Sequence, residues 1–341
     1  MKYGKILILV ATTTVFLAAC GSTNVSSNIK SEPDSFESSS ISSESKVSLD
    51  LVEMPFLEAL PVPSSMLTDV DNPGSIETIS YKTKVYDING NGGEEVTKQA
   101  NVYLPNDYDE DKQYNVLYLM HGGGETYTYW LKQQKNTAKL LDNMFEKKYA
   151  IKCIVVAPTF YTGNSSDSMS ELATDVFQYE FKNDLVPAIE SEYATYANKD
   201  TSLEGLRKTR EHRAFAGLSM GSMVSIRSIL MGCLDICAYI NSMSGGYAAD
   251  DSRTQEGFDL VENAVKVKFK DYPIKYWFNH NGKNDMALNP HKNLKNMVLE
   301  ELSDIFEEDV NYQWIEFPTG SHDYTSWLAG LYNCLLVFFT K

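Results

Sequence analysis

The stretch EHRAFAGLSMGSM, residues 211–223, sets a single serine, Ser219, between glycines at 217 and 221. RAFA (213–216) reads as a short buried strand and the residues from Gly221 onward as a helix, so Ser219 falls at a strand-to-helix turn. A serine hydroxyl is a poor nucleophile until geometry and a base activate it. The G-x-S-x-G elbow supplies that geometry: the turn strains the serine backbone, and side chains at Gly217 and Gly221 would collide with the adjoining helix and strand. The helix that follows adds its positive N-terminal end to the same place. For the pentapeptide alone, an ordinary glycine-flanked loop is the commoner explanation, so the surrounding elements and partners must decide.

Upstream, ETISYKTKVYD and EVTKQANVYLP alternate in polarity across the turn-rich INGNGG and read as a hairpin. Asp87, Asn89, Asn91 and Gly92 imitate half of a calcium loop, but Lys98 stands where the bidentate glutamate is required, so the turn reading is preferred. From there, apolar runs alternate with helical periodicity. YNVLYLM (114–120) is followed by a helix near 131–147, IKCIVVA (151–157) by a helix near 171–193, and RAFA by a helix from 221. CAYINSM (237–243) leads into a variable segment near 247–270, IKYWFNH (274–280) into a helix near 292–306, and YQWIEF (312–317) into a helix near 325–338. Strands buried on both faces and separated by helices predict an α/β, doubly wound, mostly parallel sheet behind an N-terminal antiparallel hairpin. In the 171–193 helix, Leu172, Val176, Leu185 and Ile189 are assigned to one face, and Pro187 is expected to kink it.

In this architecture the chain order is serine, acid, histidine. His280, His291 and His322 follow Ser219; His322, in the loop PTGSHDYTSW after the last strand, is the candidate base, whereas His280 lies within a strand and His291 near a helix start. His121 and His212 precede the serine and are read as structural hydrogen-bonding residues. Asp285, in the turn NGKND after IKYWFNH, is the candidate acid, ahead of Asp323, which adjoins the histidine too closely, and Asp235, which comes too early. The oxyanion donors expected are the amides of Met220 and of Gly122 or Gly123 in HGGGE (121–125); a phosphate-binding loop is disfavoured because no Walker lysine–serine pattern accompanies the glycines.

The chain has 341 residues, 43% of them hydrophobic, enough for a sizeable core, and a formal net charge of −16 that disfavours nucleic acid and anionic surfaces as partners. Lys2 and Lys5 precede the apolar run ILILVATTTVFLAAC, too short for an ordinary spanning helix. Residues 1–20 read as a signal peptide, and LAAC resembles a bacterial lipobox, with lipidation expected at Cys20. Residues 21–50, with twelve serines, read as a flexible tether reaching roughly 30 Å. Residues 51–341 are the folded domain, expected at the extracellular face of the cell membrane and touching the membrane only through the anchor. No disulfide is expected among Cys153, Cys233, Cys237 and Cys334, and no zinc, for want of CxxC or HExxH spacing.

VYLPNDYD, YNVLYLMHGGGE, EHRAFAGLSMGS, NGKND and GSHDYTSW, in that order, resemble the successive motifs of the esterase D-like α/β-hydrolases, in particular the feruloyl and acetylxylan esterases of carbohydrate esterase family 1. The resemblance runs from about residue 75 to the C-terminus; Ser222, where many relatives have glycine, departs from it, and residues 51–74 and 247–270 match none of its motifs. It implies carboxylic-ester hydrolysis through Ser219, Asp285 and His322, with no metal or organic cofactor. The implied substrate is an ester-substituted polysaccharide such as xylan, bearing feruloyl or acetyl groups. Among the aromatics expected near the mouth (Tyr127, Tyr129, Trp130, Phe160, Tyr161, Tyr247 and Trp327), Trp130, Tyr161 and Trp327 are the candidate substrate contacts. Two alternatives stand beside this reading: an acyltransferase or esterase of the bacterial envelope, since the same family includes mycolyltransferases, and a lipoprotein that only binds a ligand.

Overall fold

The computed structural model describes residues 61–162 and 171–340. Among them, eight strands form one sheet: β1 Ser75–Tyr86, β2 Gly92–Leu104, β3 Asn115–Met120, β4 Cys153–Ala157, β5 Arg213–Leu218, β6 Tyr239–Met243, β7 Tyr276–Gly282 and β8 Tyr312–Phe317. Their order is β1-β2-β4-β3-β5-β6-β7-β8. The β1–β2 and β2–β4 pairs are antiparallel, and every later pair is parallel. Residues 1–50, on which the expected signal peptide, the lipidation at Cys20 and the tether fall, lie outside the described residues.

Sequence and position agree closely in the centre of the sheet. β3 is buried at every residue, with Val116, Tyr118 and Met120 entering one apolar layer and Leu117 and Leu119 the other. Only a strand covered on both faces tolerates such a run. β1, at the edge, alternates instead, turning Tyr81 and Thr83 inward. The hairpin turn closes on Gly90 at φ +81°, and Asp87 spends its carboxylate on the amides of Asn89 and Asn91 and the side chain of Asn91.

Helices α1 (Lys135–Glu146) and α8 (Tyr324–Leu335) cover one face of the sheet. The other is covered by α2 (Glu171–Glu180), α3 (Val186–Glu192), α5 (Met220–Val224), α6 (Thr254–Asn263) and α7 (Leu288–Glu301); the short α4 (Leu203–Lys208) precedes β5. The variable segment 247–270 thus contains a helix, α6, which buries Phe258 and Val261.

The assignment of Leu172 and Val176 to the buried face of the long helix is corrected. Leu172 is 51% exposed, and the buried stripe is Ala173, Phe177, Phe181, Leu185 and Ile189, spaced by four throughout. Such a stripe would drift about 40° per step on a regular helix. A π-turn at Phe181–Leu185, closed by the Val186 amide on the Phe181 carbonyl, absorbs one residue and brings the stripe back to the sheet, just before Pro187. Pro187 therefore sits inside the first turn of α3, where its missing N–H costs least.

Two buried ion pairs tie these layers together. Lys98 of β2 meets Glu180 of α2 at 2.7 Å, with the Tyr81 hydroxyl donating to the same carboxylate at 2.6 Å. Arg213 of β5 pairs with Glu190 of α3. Cys153, Cys233, Cys237 and Cys334 are buried thiols, and burial pushes Cys233 and Cys237 up to about 12.

Candidate active site

β5 runs into α5 through one residue, and that residue is Ser219, at φ 53° and ψ −118°. A side chain in that backbone region is strained. Its own amide is fixed on the Met243 carbonyl at 2.8 Å, so β6 holds the turn from the side. The glycines are steric requirements: a Cβ on Gly217 would lie 2.0 Å from the Gly221 carbonyl oxygen, and one on Gly221 would lie 2.4 Å from that of His121.

Two loops converge on the serine. The turn after β7 carries Asp285 and the loop after β8 carries His322; they are joined by the Asn284 amide on the Gly320 carbonyl, 2.9 Å, and the Lys283 amide on the Phe317 carbonyl, 2.9 Å. Gly282 and Gly320 make the approach possible, since a Cβ on Gly282 would sit 2.3 Å from the Gly320 carbonyl carbon. His322 Nδ1 then lies 2.8 Å from Asp285 Oδ1, and Nε2 lies 3.0 Å from Ser219 Oγ. An ionised carboxylate can only accept, so Nδ1 carries the proton and Nε2 is left to accept from the serine hydroxyl. Burial works against the charge of Asp285, but the bond from His322, the Ser244 hydroxyl facing it and the Ala287 amide at 2.8 Å overcome this and hold its carboxyl below the ordinary value.

The remaining histidines lie elsewhere. His121 bonds the Gly122 carbonyl at 2.7 Å and Thr159 at 2.8 Å; His212 stacks on Tyr196; His291 is held between Asn279 and Asn281; His280 is buried near Ser326. Burial lowers His121 and His280 to about 4 and His291 to about 3, so these three are neutral at ordinary pH. Asp323 caps α8 by accepting the Ser326 amide, and Asp235 pairs with Lys182 and Arg207.

The geometry bears on two expectations. Met220 opens α5, where an N–H has no intrahelical acceptor, and suits an oxyanion donor. The Gly122 amide, however, is taken by the Glu125 carboxylate at 2.8 Å, because a glutamate three residues on reaches back across the turn. Of the two glycines, Gly123 is the one whose amide Glu125 does not hold. The three rings assigned to substrate are buried at 7% exposure or less. Trp130 donates to the Met120 carbonyl at 3.0 Å, Tyr161 accepts the Gly124 amide at 2.8 Å, and Trp327 stands edge-on to His322, 5.2 Å away, while bonding Ser244. They build the walls behind the site. Aromatic spacing in the sequence does not distinguish a ring facing solvent from one facing its own loop.

Sequence reasoning missed three residues here. Ser244, at φ 57°, accepts the Trp327 N–H and faces the acid; Gly282 and Gly320 bring the two loops together. The glycines lay in plain sight within NGKND and PTGSH, but a close contact between two loops leaves no periodic trace.

This sheet order, elbow and hydrogen-bonded serine–histidine–aspartate chain define an α/β-hydrolase. The sequence model of the Esterase family matches residues 95–336, and the chain belongs to that family. It is 35% identical over 202 residues to endo-1,4-beta-xylanase Y of Acetivibrio thermocellus, covering 59% of this chain and 17% of that one. It is 31% identical over 153 residues to the endo-1,4-beta-xylanase/feruloyl esterase of Xylanibacter ruminicola, covering 43% of this chain and 19% of that one. The chain thus spans less than a fifth of the curated relatives it matches. Among solved structures, the feruloyl esterase module from Clostridium thermocellum complexed with sinapinate aligns with a TM-score of 0.68 at 29% identity, over 86% of this chain and 97% of that one. A ferulic acid esterase of family CE1 from Anaeromyces mucronatus shares the fold, with a TM-score of 0.64 at 20% identity, over 82% and 96% of the two chains. The resemblance read from the motifs therefore holds.

Proposed function

We propose that this esterase hydrolyses carboxylic esters through Ser219, His322 and Asp285, and that it releases feruloyl or acetyl groups from xylan. The observation that carries the reading is the hydrogen-bonded chain of 3.0 and 2.8 Å on a strained elbow. The relatives that supply the substrate are named as feruloyl esterases and xylanases. His322 takes the hydroxyl proton as Ser219 Oγ attacks the ester carbonyl; Asp285 holds the imidazole in the required tautomer and balances its transient charge. The tetrahedral oxyanion rests on backbone amides, each worth about 3 kcal/mol in the transition state. The proton passes from His322 to the departing alcohol, and water, activated by the same histidine, then releases the acid from Ser219.

The substrate is tested on feruloylated, acetylated arabinoxylan with the domain 51–341, by measuring hydroxycinnamate and acetate side by side. Ferulate release is expected; acetate alone would make the enzyme a deacetylase. If neither appears while small aryl esters are still cleaved, the plant-polymer reading is wrong.

The proposal extends to location. LAAC and the serine-rich stretch support an enzyme anchored through a lipid on Cys20 and working outside the membrane. Expressed in a bacterium, the full chain should partition into detergent and Cys20→Ser should not; equal partitioning of the two would overturn the anchor.

A further inference from the structure

The loop HGGGE leaves β3 and passes beside the serine: a Cβ on Gly122 would lie 3.2 Å from Ser219 Cβ and 2.6 Å from the Leu218 side chain. Of three consecutive amides in it, the outer two are held by different side chains. That of Gly122 goes to Glu125 Oε2 at 2.8 Å, and that of Gly124 goes to the Tyr161 hydroxyl at 2.8 Å. Between them, the Gly123 amide takes no acceptor among the described residues. The peptide joining Gly122 to Gly123 is trans, so its carbonyl and its N–H point in opposite directions. Its carbonyl is held by the ring of His121 at 2.7 Å, which turns the Gly123 N–H away from that ring.

Glu125 is the carboxyl group of this loop, and the triad mechanism leaves it unused. It is half-buried, with the Tyr129 hydroxyl beside it and His322 close enough to attract it. Burial raises its carboxyl above the ordinary value, against the pull of the Gly122 amide, Tyr129 and His322. Keeping a carboxylate there has a cost, and the bond to Gly122 is what it secures.

We infer that Glu125 is a positioning residue of the oxyanion site: by holding the Gly122 amide it fixes the loop so that Gly123, with Met220, faces the developing charge. Glu125 touches neither the substrate nor the reacting atoms in this role. Tyr161 and His121 hold the same short loop from its other sides, and Gly124, at φ +80°, makes the bend that lets Glu125 return to Gly122. The electrostatic benefit of an oxyanion donor depends on its being oriented before the charge appears, so a loosened loop lowers the rate without losing the donor itself.

This inference rests on ester hydrolysis through Ser219, and the experiment separates the two. Steady-state kinetics with an aryl acetate, and inhibition by phenylboronic acid, which forms a tetrahedral adduct on an active-site serine, are compared for the wild type, Glu125→Ala and Glu125→Gln. In Glu125→Ala, kcat should fall about 10- to 100-fold, short of the loss of a whole donor, with little change in KM. Boronate affinity should fall in parallel. Glu125→Gln keeps an acceptor oxygen for the Gly122 amide and should stay within about threefold of wild type on both measures. An unchanged Glu125→Ala overturns the inference. So does a Glu125→Gln as impaired as the alanine variant, which would make the charge rather than the amide bond the working part. If the wild type cleaves no ester and binds no boronate, the hydrolase reading falls and this one with it.

Discussion

Replacing Ser219 by alanine should lower kcat/KM for a feruloyl or aryl ester by about 10⁴- to 10⁶-fold while leaving the protein folded. The size follows from the dependence of each step on the others: without Oγ there is no acyl-enzyme, and His322 and the oxyanion amides retain only their modest effect on direct attack by water. The fold should survive because alanine occupies the same strained backbone as serine at φ 53°, so the strain is common to both chains. Only the 3.0 Å bond to His322 is lost, worth about 1 kcal/mol, or a change of about 2–4 °C in Tm for a domain of this size. A fluorophosphonate probe should label the wild type and not the variant. Residual activity within about 100-fold of wild type, with labelling elsewhere, would remove Ser219 from the mechanism. Failure of the probe to label the wild type at all would favour a lipoprotein that only binds its ligand.

The parts of this site that were legible in the sequence are those whose physics is local. The buried runs of β3 and β4 mark central strands because a pattern without polar interruption has few other homes, and the elbow is visible because its steric demands fall within five residues. Chain order brought Asp285 and His322 forward because both follow strand ends at one edge of the sheet. What escaped depends on contacts between segments far apart in sequence. The side chains of Leu172 and Val176 look like core until the π-turn at Phe181–Leu185 shifts the stripe to Ala173 and Phe177. Gly122 and Gly123 look alike as donors until Glu125 reaches the Gly122 amide, and the spacing of Trp130, Tyr161 and Trp327 does not show that all three are buried. The apposition of Gly282 and Gly320, which carries acid to base, joins two loops separated by α7 and β8.

The steric account of the elbow makes the second large prediction, on stability rather than rate. Gly217→Ala places a methyl group 2.0 Å from the Gly221 carbonyl oxygen and 2.3 Å from its carbonyl carbon. Both are backbone atoms at the start of α5, so no side chain can rotate aside to make room. The clash is relieved only by moving the helix away from β5, and that displaces Ser219, whose amide is tied to Met243 of the neighbouring strand. The loss should therefore be at least about 3 kcal/mol, and failure to accumulate as soluble protein is one form it can take. Gly124→Ala serves as the comparison. It also alters a glycine of the site, but a Cβ there meets nothing within 4 Å and only the φ of +80° opposes it, so the cost should be about 1 kcal/mol. Urea denaturation of the two variants beside the wild type separates contact from conformation: if Gly217→Ala unfolds at the wild-type midpoint, the elbow is not held by the packing of Gly217 on Gly221, and the strain at Ser219 must be maintained by its bond to β6 alone.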